Sequence, residues 1–466
     1  MAFPLRPKQI EALAHYMQHE RTADISDPGT GKTAPACVYI QYLYETFNAK
    51  SIWAMPKSLL RKNRDEILAF SDLKPEQVVI IDGTPKQRAK QLDNDEAVVF
   101  LMGFRRFTDD WKIQLERHPT INALIMDEIH MGGFKSPTNK STAQLFAAMR
   151  KIKYFLAMSG TLIDGRLDSC YATIHIIEPR YYANHYSFLA QHCVKDEFGN
   201  ITGWFNHEKI GRIFIRHCFR RTFEEVYGPE AKVFIKQKVE MDPVSRVAYE
   251  EFAAKACLEL DEAYAAELDQ LSGFLESPNG AVAAMRSYQI MQHPHHFGIL
   301  KDEEELTGKE EAIFIHCQDH INTGKPLLIF SALIPEQERL ARLLTKWGLR
   351  VGLINSNTPP AKRAQIDQDF IAGRLDAVVG SPGCMAVGFN WGHVDHVIFP
   401  SLDFADINFV QAYKRTIRGV RSCAVRITIL EYYDSIDNRR FRIIDAKSRN
   451  RHKVDPTYEE LNLAGL

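Results

Sequence analysis

Short, uninterrupted apolar runs recur in two separate blocks of the sequence, and they constrain the fold more than any other feature. Such a run is typical of a strand buried on both faces, and stretches with helical periodicity lie between the runs. This alternation predicts parallel sheets covered by helices, so we expect two α/β lobes. The runs span residues 51–55, 78–81, 98–102, 123–126 and 154–158 in the first block, and 327–330, 351–354, 377–379, 397–399 and 427–430 in the second.

The residues between the two blocks follow a different pattern. Residues 244–272 contain no Gly or Pro and are rich in Ala, Glu and Leu, which favours a long helix. A chain of 466 residues is long enough for two or three domains. We therefore predict lobe 1 over residues 1–165, a mainly helical insertion over 166–310, and lobe 2 over 311–466.

The formal charge of −1 gives no overall excess of positive charge for binding nucleic acid. The charge is unevenly distributed, however. Residues 411–453 hold twelve Lys or Arg against four Asp or Glu, whereas residues 302–311 hold six acidic residues and one lysine. The basic stretch is therefore a candidate nucleic-acid contact, although such a run is more often a solvated face.

Several absences in the sequence bear on where the protein works. No run of eighteen apolar residues is present, and the first residues lack the layout of a signal peptide. The eight cysteines include no Cys-x-x-Cys pair, which argues against a disulfide framework or a zinc ribbon. We expect a cytoplasmic protein without a membrane partner, with the nucleus left open.

A phosphate-binding loop is predicted over residues 26–33, whose sequence is Ser-Asp-Pro-Gly-Thr-Gly-Lys-Thr. Small residues allow successive backbone N–H groups to surround phosphates at a helix N-terminus. In this pattern Lys32 reaches the β- and γ-phosphates, and the Thr33 hydroxyl holds Mg²⁺. Ser26 stands where the general pattern has Gly, and it is small enough to fit. The phosphate cradle would be formed by Gly29, Thr30 and Gly31.

The sequence Asp127-Glu128-Ile129-His130 follows one of the apolar runs. A carboxylate at the end of a strand can reach a metal ion bound at a neighbouring loop. We therefore expect Asp127 to complete the Mg²⁺ site and Glu128 to orient or deprotonate the attacking water.

Two further segments are candidates for sensing the phosphates. The hydroxyls of Ser159 and Thr161 follow the last run of the first block and are placed to relay the phosphate state, although a plain turn has the same sequence. Arg415 and Arg418 lie three residues apart on a predicted helix, hence on one face. Arginine is well suited to clamp a transferring phosphate, but an ordinary basic helix face is the alternative.

In their order along the chain these segments resemble the motifs of superfamily-two helicase-type motors, which have two RecA-like lobes. The resemblance spans nearly the whole sequence. It implies ATP and Mg²⁺ as cofactors and ATP hydrolysis that depends on nucleic acid. Motifs I, II, III, V and VI correspond to residues 27–33, 127–130, 159–161, 381–390 and 411–418.

Within that superfamily the sequence is most similar to Swi/Snf-type double-stranded DNA translocases. Residues 5–9, 27–33, 219–226 and 285–294 resemble segments of that group. The resemblance implies that Gln9 recognises adenine. It assigns Gly388 to the nucleotide site and Gln411, Ser159 and Thr161 to coupling. It places nucleic-acid contacts at Lys57, Arg105, Asn355, Ser356, Thr358 and Ser381.

Some positions depart from the family pattern. Asn63 stands near the position of a usual tryptophan, and no glutamine closes the segment after Arg418. No histone-reading module accompanies the motor, which favours a minimal prokaryotic or viral form. We expect a translocase on duplex DNA. Alternatives are a branch-migration or fork-unwinding helicase and a nucleotide-gated binding protein with little hydrolysis. Any protein partner and the direction of movement are left open by the sequence.

Overall fold

The computed structural model describes residues 4–199, 201–251, 278–385, 388–403 and 406–466. The chain forms two compact units, which we call lobe 1 and lobe 2. Lobe 1 comprises Met1–His192 and Asn206–Pro229, and lobe 2 comprises Cys193–Phe205 and Glu230–Leu466. The helix expected over residues 244–272 lies largely outside the described residues.

The strands and helices alternate along both lobes. The strands are β1 Arg21–Asp24, β2 Lys50–Met55, β3 Val78–Ile81, β4 Val99–Gly103, β5 Ile121–Asp127, β6 Tyr154–Met158, β7 Cys193–Lys195, β8 Ile201–Trp204, β9 Cys218–Phe219, β10 Lys232–Val239, β11 Leu327–Phe330, β12 Val351–Ile354, β13 Ala377–Gly380, β14 His396–Phe399 and β15 Val425–Tyr432. The α-helices of the described residues include α1 Pro7–Gln18, α2 Thr33–Phe47, α3 Leu60–Phe70, α4 Pro85–Leu92, α5 Phe104–Arg117, α6 Lys140–Met149, α7 Tyr171–Ile177, α8 His185–His192, α9 His207–His217, α10 Phe223–Tyr227, α11 Pro278–Gln292, α12 Gly308–Thr323, α13 Ile334–Lys346, α14 Pro360–Ile371, α15 Pro382–Met385, α16 Asp406–Tyr413 and α17 Ile436–Val454.

Each lobe is built on one parallel sheet. Lobe 1 has seven strands in the order β3-β4-β2-β5-β6-β1-β9, and lobe 2 has six in the order β10-β15-β14-β11-β13-β12. The short strands β7 and β8 pair separately as an antiparallel hairpin. The expected fold of two RecA-like parallel-sheet lobes is therefore confirmed.

All ten apolar runs form strands, whose side chains are buried in the middle of each sheet and partly buried in the edge strands β3 and β12. Strand β1, which precedes the phosphate-binding loop, was not expected, because its sequence is polar. Its side chains are buried with partners distant in sequence. Arg21 donates a hydrogen bond to the carbonyl of Met149 over 2.9 Å, and Thr22 donates one to the carbonyl of His217 over 2.8 Å. Tertiary hydrogen bonding thus replaces apolar character in this strand.

The segment expected as a mainly helical insertion contributes strands to both sheets. Strand β9 pairs with β1 in lobe 1, and β10 pairs along its whole length with β15 in lobe 2. Val233 and Ile235 of β10 are exposed, as on an edge strand with one face in solvent. By compactness the chain divides at residues 229 and 230, within the predicted insertion. Among the described helices, none is both long enough and apolar enough to cross a bilayer.

Candidate active site and nucleic-acid edge

In lobe 1, the candidate segments follow the carboxyl ends of strands in a single sheet. Because the strands are parallel, their carboxyl ends lie along one edge, where ligands of open α/β sheets bind. The nucleotide candidates occupy one half of this edge and the nucleic-acid candidates the other half. Across the sheet the order is residue 82 after β3, 103–106 after β4, 56–57 after β2, 127–130 after β5, 159–161 after β6, 25–32 after β1 and 220–223 after β9.

The loop between β1 and α2 has the geometry of an anion site. Gly29 and Gly31 have φ angles of 89° and 90°, which a residue with a side chain rarely adopts. The Lys32 ammonium lies within the loop, where it donates to the carbonyls of Ser26 over 2.6 Å and Asp27 over 3.1 Å. Helix α2 begins at Thr33, so its N-terminal N–H groups and positive dipole end face the loop.

Residues 220–223 support the phosphate-binding loop from beside β9. The backbone N–H of Arg221 donates to the Ser26 hydroxyl over 3.0 Å, which gives a structural use to the serine that replaces glycine. The Asp27 carboxylate accepts from the Phe223 backbone N–H over 3.0 Å and pairs with Arg220 at 3.2 Å. Sequence reasoning noted this segment only as a resemblance, since bonds between residues about 195 positions apart leave no local signal.

Gln9 lies against the same loop from the side of α1. Its Nε2 donates to the carbonyl of Gly31 over 3.0 Å, and its Oε1 accepts from the backbone N–H of Arg6 over 2.9 Å. A Cβ at Gly31 would lie 2.6 Å from the Gln9 Nε2, so this close approach requires glycine. A small cleft lined by Gln9, Lys32, Phe219 and Arg221 adjoins the loop. The role of Gln9 in recognising adenine stays a prediction.

Asp127 is buried at the end of β5, with its Oδ2 accepting a hydrogen bond from the Asn63 Nδ2 over 2.9 Å. Burial and the adjacent Glu128 carboxylate raise the pKa of Asp127 to about 6. On α3, burial also raises the pKa of Glu66, and the negative charge of Asp127 acts in the same direction. The site thus concentrates poorly solvated negative charge, which a bound cation would neutralise.

The residues around Asp127 fit a magnesium ion. The Thr33 hydroxyl and the Asp127 carboxylate are the oxygen ligands that Mg²⁺ prefers. In the described parts of the chain, no three or more His, Cys, Asp or Glu side chains are grouped to hold a metal ion. An ion held by Thr33 and Asp127 would therefore take its other ligands from phosphates and water, as Mg²⁺ does in nucleotide sites.

Glu128 has an unusual backbone conformation. Its φ of 50° and ψ of 48° lie in the left-handed region, at a cost on the order of 1–3 kcal/mol for such a residue. Its Oε2 is shielded from solvent and accepts no hydrogen bond from the described residues. The nearest basic atom that the structure pairs with it is the Nδ1 of His130, at 3.5 Å. A strained, unsatisfied carboxylate beside the predicted metal ligand is suited to binding a water molecule.

His130, Ser159 and Thr161 form a short hydrogen-bonded chain. The His130 Nδ1 lies 2.8 Å from the Ser159 hydroxyl, which accepts a bond from the Thr161 backbone N–H over 3.0 Å. Burial lowers the pKa of His130 to about 4, so the ring is neutral at pH 7. A Cβ at Gly160 would lie 2.8 Å from the Pro28 Cδ, so this loop touches the phosphate-binding loop. The loop that carries Ser159 and Thr161, two of the three predicted coupling residues, therefore links the segments after β5 and β1.

The predicted nucleic-acid contacts of lobe 1 lie on the other half of the edge. The side chains of Lys57 and Arg105 are 66% and 91% exposed. The Lys57 Nζ pairs with Asp82 at 2.7 Å, and its Cβ lies 3.8 Å from where a Cβ at Gly103 would be. The segments after β2, β3 and β4 are thus adjacent. They carry two exposed cations, each beside a carboxylate, with the Arg105 Nε 3.9 Å from Asp109.

In lobe 2, the predicted nucleic-acid residues lie after the neighbouring strands β12 and β13. Asn355 and Thr358 are buried and stabilise their own turn. The Asn355 Oδ1 accepts from the Asn357 backbone N–H over 2.9 Å and from the Thr358 hydroxyl over 3.2 Å. Ser356 is exposed, and Ser381 is partly buried beside the end of β12. Ser356 is therefore the most accessible of the four.

The expectation that Arg415 and Arg418 share a helix face is wrong, because α16 ends at Tyr413. The Thr416 hydroxyl donates to the carbonyl of Tyr413 over 2.7 Å and closes a turn. Arg415 is 7% exposed and Arg418 is partly buried. Two other predicted residues of lobe 2 are Gln411, which is buried on α16, and Gly388, which has a φ of 93°.

The basic stretch at residues 411–453 offers less surface charge than its sequence indicates, because several of its cations are buried or held in ion pairs. Three are held in ion pairs, Lys414 with Glu230 at 2.9 Å, Arg421 with Asp395 at 2.5 Å and Arg451 with Asp406 at 2.8 Å. The Arg440 guanidinium is buried 3.2 Å from the centre of the Tyr288 ring. Counting charges along the sequence therefore overstates the charge that this stretch offers to DNA.

Comparison with known proteins agrees with this architecture. Residues 309–420 match the helicase conserved C-terminal domain, and residues 2–164 match the res subunit of type III restriction enzymes. No curated protein sequence matches the chain significantly. The Pyrococcus furiosus Hef helicase domain is 13% identical with a TM-score of 0.51, covering 93% of this chain and 96% of that one. The Sulfolobus solfataricus SWI2/SNF2 ATPase core in complex with dsDNA is 16% identical with a TM-score of 0.42, covering 99% and 98%.

The two parallel-sheet lobes, the phosphate-binding loop and the carboxylates after β5 define a RecA-like ATPase core. With the two family matches, one in each lobe, the class becomes more specific. The chain belongs to the superfamily-two helicase-type motors and is a nucleic-acid-dependent ATPase.

Proposed function

We propose that this protein is a motor that uses ATP and Mg²⁺ to translocate along duplex DNA. The observation that supports the proposal is the carboxyl edge of the lobe 1 sheet, where the candidate residues for the nucleotide and those for nucleic acid both lie. The phosphate-binding loop, Asp127 and Glu128 lie on one half, and the exposed Lys57 and Arg105 lie on the other. Binding of nucleic acid and of nucleotide would therefore act on the same short loops.

The nucleotide half supplies the parts that phosphoryl transfer to water requires. Lys32 binds the phosphate oxygens, and Thr33 and Asp127 hold the magnesium ion, which neutralises charge on the phosphates. Glu128 accepts a proton from the attacking water, because its Oε2 accepts no hydrogen bond from the described residues. Arg415 and Arg418 supply the positive charge that stabilises the transferring phosphoryl group.

The preference for duplex DNA rests on the sequence resemblance to Swi/Snf-type translocases, and the exposed side chains suit it. Lys57, Arg105 and Ser356 offer cations and a hydroxyl, which contact a phosphate backbone without reading bases. Such contacts allow movement along any sequence, as translocation requires. Hydrolysis is then coupled to movement through Ser159 and Thr161, which link the loops after β5 and β1.

The proposal is tested by the rate of ATP hydrolysis without nucleic acid and with duplex DNA, single-stranded DNA, forked DNA or RNA. We expect duplex DNA to give the largest stimulation and the lowest concentration for half-maximal rate. Stimulation by single strands or RNA alone would contradict the duplex preference, and the strongest stimulation by forks would favour an unwinding helicase. No stimulation by any of them would contradict the motor itself.

A further inference from the structure

Two polar side chains on α3 lie directly behind the predicted metal ligands. Helix α3 buries Leu60, Asn63 and Ile67, so an amide occupies the apolar face of an amphipathic helix. Glu66 lies three residues after Asn63, hence on a neighbouring part of the same face. A buried polar group on such a face requires a partner that compensates for its loss of water.

The partner of Asn63 is Asp127. The Asn63 Nδ2 donates to the Asp127 Oδ2 over 2.9 Å, and the two residues are 2% and 8% exposed. A hydrogen bond to one carboxylate oxygen fixes the rotation of the group and therefore the direction in which the other oxygen points. This orientation prepares Asp127 to bind a cation.

Glu66 is held differently. Its Oε1 lies 3.9 Å from the Lys62 Nζ, and its Oε2 is shielded from solvent with no hydrogen-bond partner among the described residues. Of the two polar side chains, Asn63 is therefore the one whose hydrogen bond holds a predicted metal ligand in place.

We propose that Asn63 is a positioning residue for the divalent cation, because it orients the carboxylate of Asp127. The inference rests on the nucleotide site of the proposed function and extends it to a second layer of residues. Groups that orient metal ligands in this way change metal affinity by about 10- to 100-fold when they are removed. This gives a role to Asn63, which stands near the position where the related translocases have tryptophan.

The experiment measures equilibrium binding of a fluorescent ADP to the purified full chain, with Mg²⁺ titrated from chelated to millimolar levels and no nucleic acid present. Asn63→Leu removes the donor at similar size, and Asn63→Ala removes it without adding apolar volume. We expect the Mg²⁺ concentration at half-maximal effect to rise by about 10- to 100-fold in each variant. The affinity for metal-free nucleotide is expected to stay within about twofold of the wild type.

Asp65→Asn is the matched control, since it changes a polar side chain at an exposed position of α3. It is expected to leave the Mg²⁺ titration unchanged. Wild-type Mg²⁺ dependence in both test variants would overturn the proposal, and so would an equal loss of binding with and without Mg²⁺, which indicates a purely structural role. If Asn63→Leu does not fold, Asn63→Ala decides the matter. A wild-type chain that binds no nucleotide contradicts the proposed function instead.

Discussion

The two lobes have the same kind of sheet but use the polar residues at its carboxyl edge differently. In lobe 1 the edge presents groups that the lobe itself leaves unsatisfied or exposed, such as the Glu128 Oε2 and the side chains of Lys57 and Arg105. In lobe 2 the buried Asn355 and Thr358 hydrogen-bond each other and hold their own turn. These motif residues are therefore left accessible or unsatisfied in lobe 1, whereas in lobe 2 Asn355 and Thr358 are used within their own turn.

The comparison is tested most strongly by Arg418, a lobe 2 residue to which we assign a catalytic role. We expect Arg418→Ala to lower kcat by about 10³- to 10⁵-fold, because an arginine that stabilises the transferring phosphoryl group contributes on this scale. The thermal unfolding midpoint is measured alongside the steady-state rate. Arg449→Ala, at a residue paired with Glu460 on the surface, is the control. A loss of less than tenfold would show that lobe 2 contributes structure alone here.

Glu128 tests the catalytic half of the lobe 1 edge. We expect Glu128→Gln to lower kcat by about 10²- to 10⁴-fold, since an amide cannot accept the proton of the attacking water. Nucleotide binding, followed by fluorescence, should remain, because the amide keeps the size of the carboxylate. The exposed Glu116→Gln serves as the matched control. Near-normal turnover in Glu128→Gln would remove this residue from the mechanism.

Arg451 tests whether the basic stretch of lobe 2 stabilises the fold or binds DNA. We expect Arg451→Met to lower the free energy of unfolding by about 3–5 kcal/mol, because it leaves the buried Asp406 without this ion pair. DNA affinity of the folded protein should not change. Denaturant unfolding and DNA titration check the two expectations, with the exposed Lys453→Met as control. Weaker DNA binding at unchanged stability would restore the basic stretch as a DNA-binding surface.

Lys57 tests the nucleic-acid half of the lobe 1 edge and has the smallest expected effect. Loss of one phosphate contact should lower the slope of log affinity for DNA against log salt concentration by about 1 in Lys57→Ala. The control is Lys153→Ala, which removes another surface lysine paired with a carboxylate, at the start of β6 rather than at its carboxyl end. Equal slopes for the two variants would place the DNA contact elsewhere.

The sequence predicted the ten strands with apolar cores because each of them is a run of consecutive apolar residues. It missed β1, since the burial of Thr22 depends on His217, and it missed β10, whose alternate side chains face solvent on a sheet edge. Motif order predicted the nucleotide half of the lobe 1 edge, and parallel strands explain why those segments meet. The partner of Asn63 became visible only in three dimensions, although an amide between Leu60 and Ile67 was a usable signal.

The sequence also suggested a helical arginine pair and a basic patch in lobe 2. The prediction of the arginine pair depended on where α16 ends. The turn that the Thr416 hydroxyl closes lies at that end. The prediction of the basic patch depended on which cations find carboxylates inside the lobe, such as Arg421 with Asp395. The end of α16 and the internal ion pairs both depend on contacts in the folded chain, which residue spacing and charge counts do not predict.

The central claim, movement along duplex DNA driven by ATP, is tested most directly by displacement of a third strand from a blunt duplex. The account predicts that the wild-type protein displaces the triplex-forming strand with ATP and Mg²⁺ while the duplex stays paired, and that Glu128→Gln does not. Separation of forked strands without triplex displacement would contradict it, as would displacement that is independent of ATP.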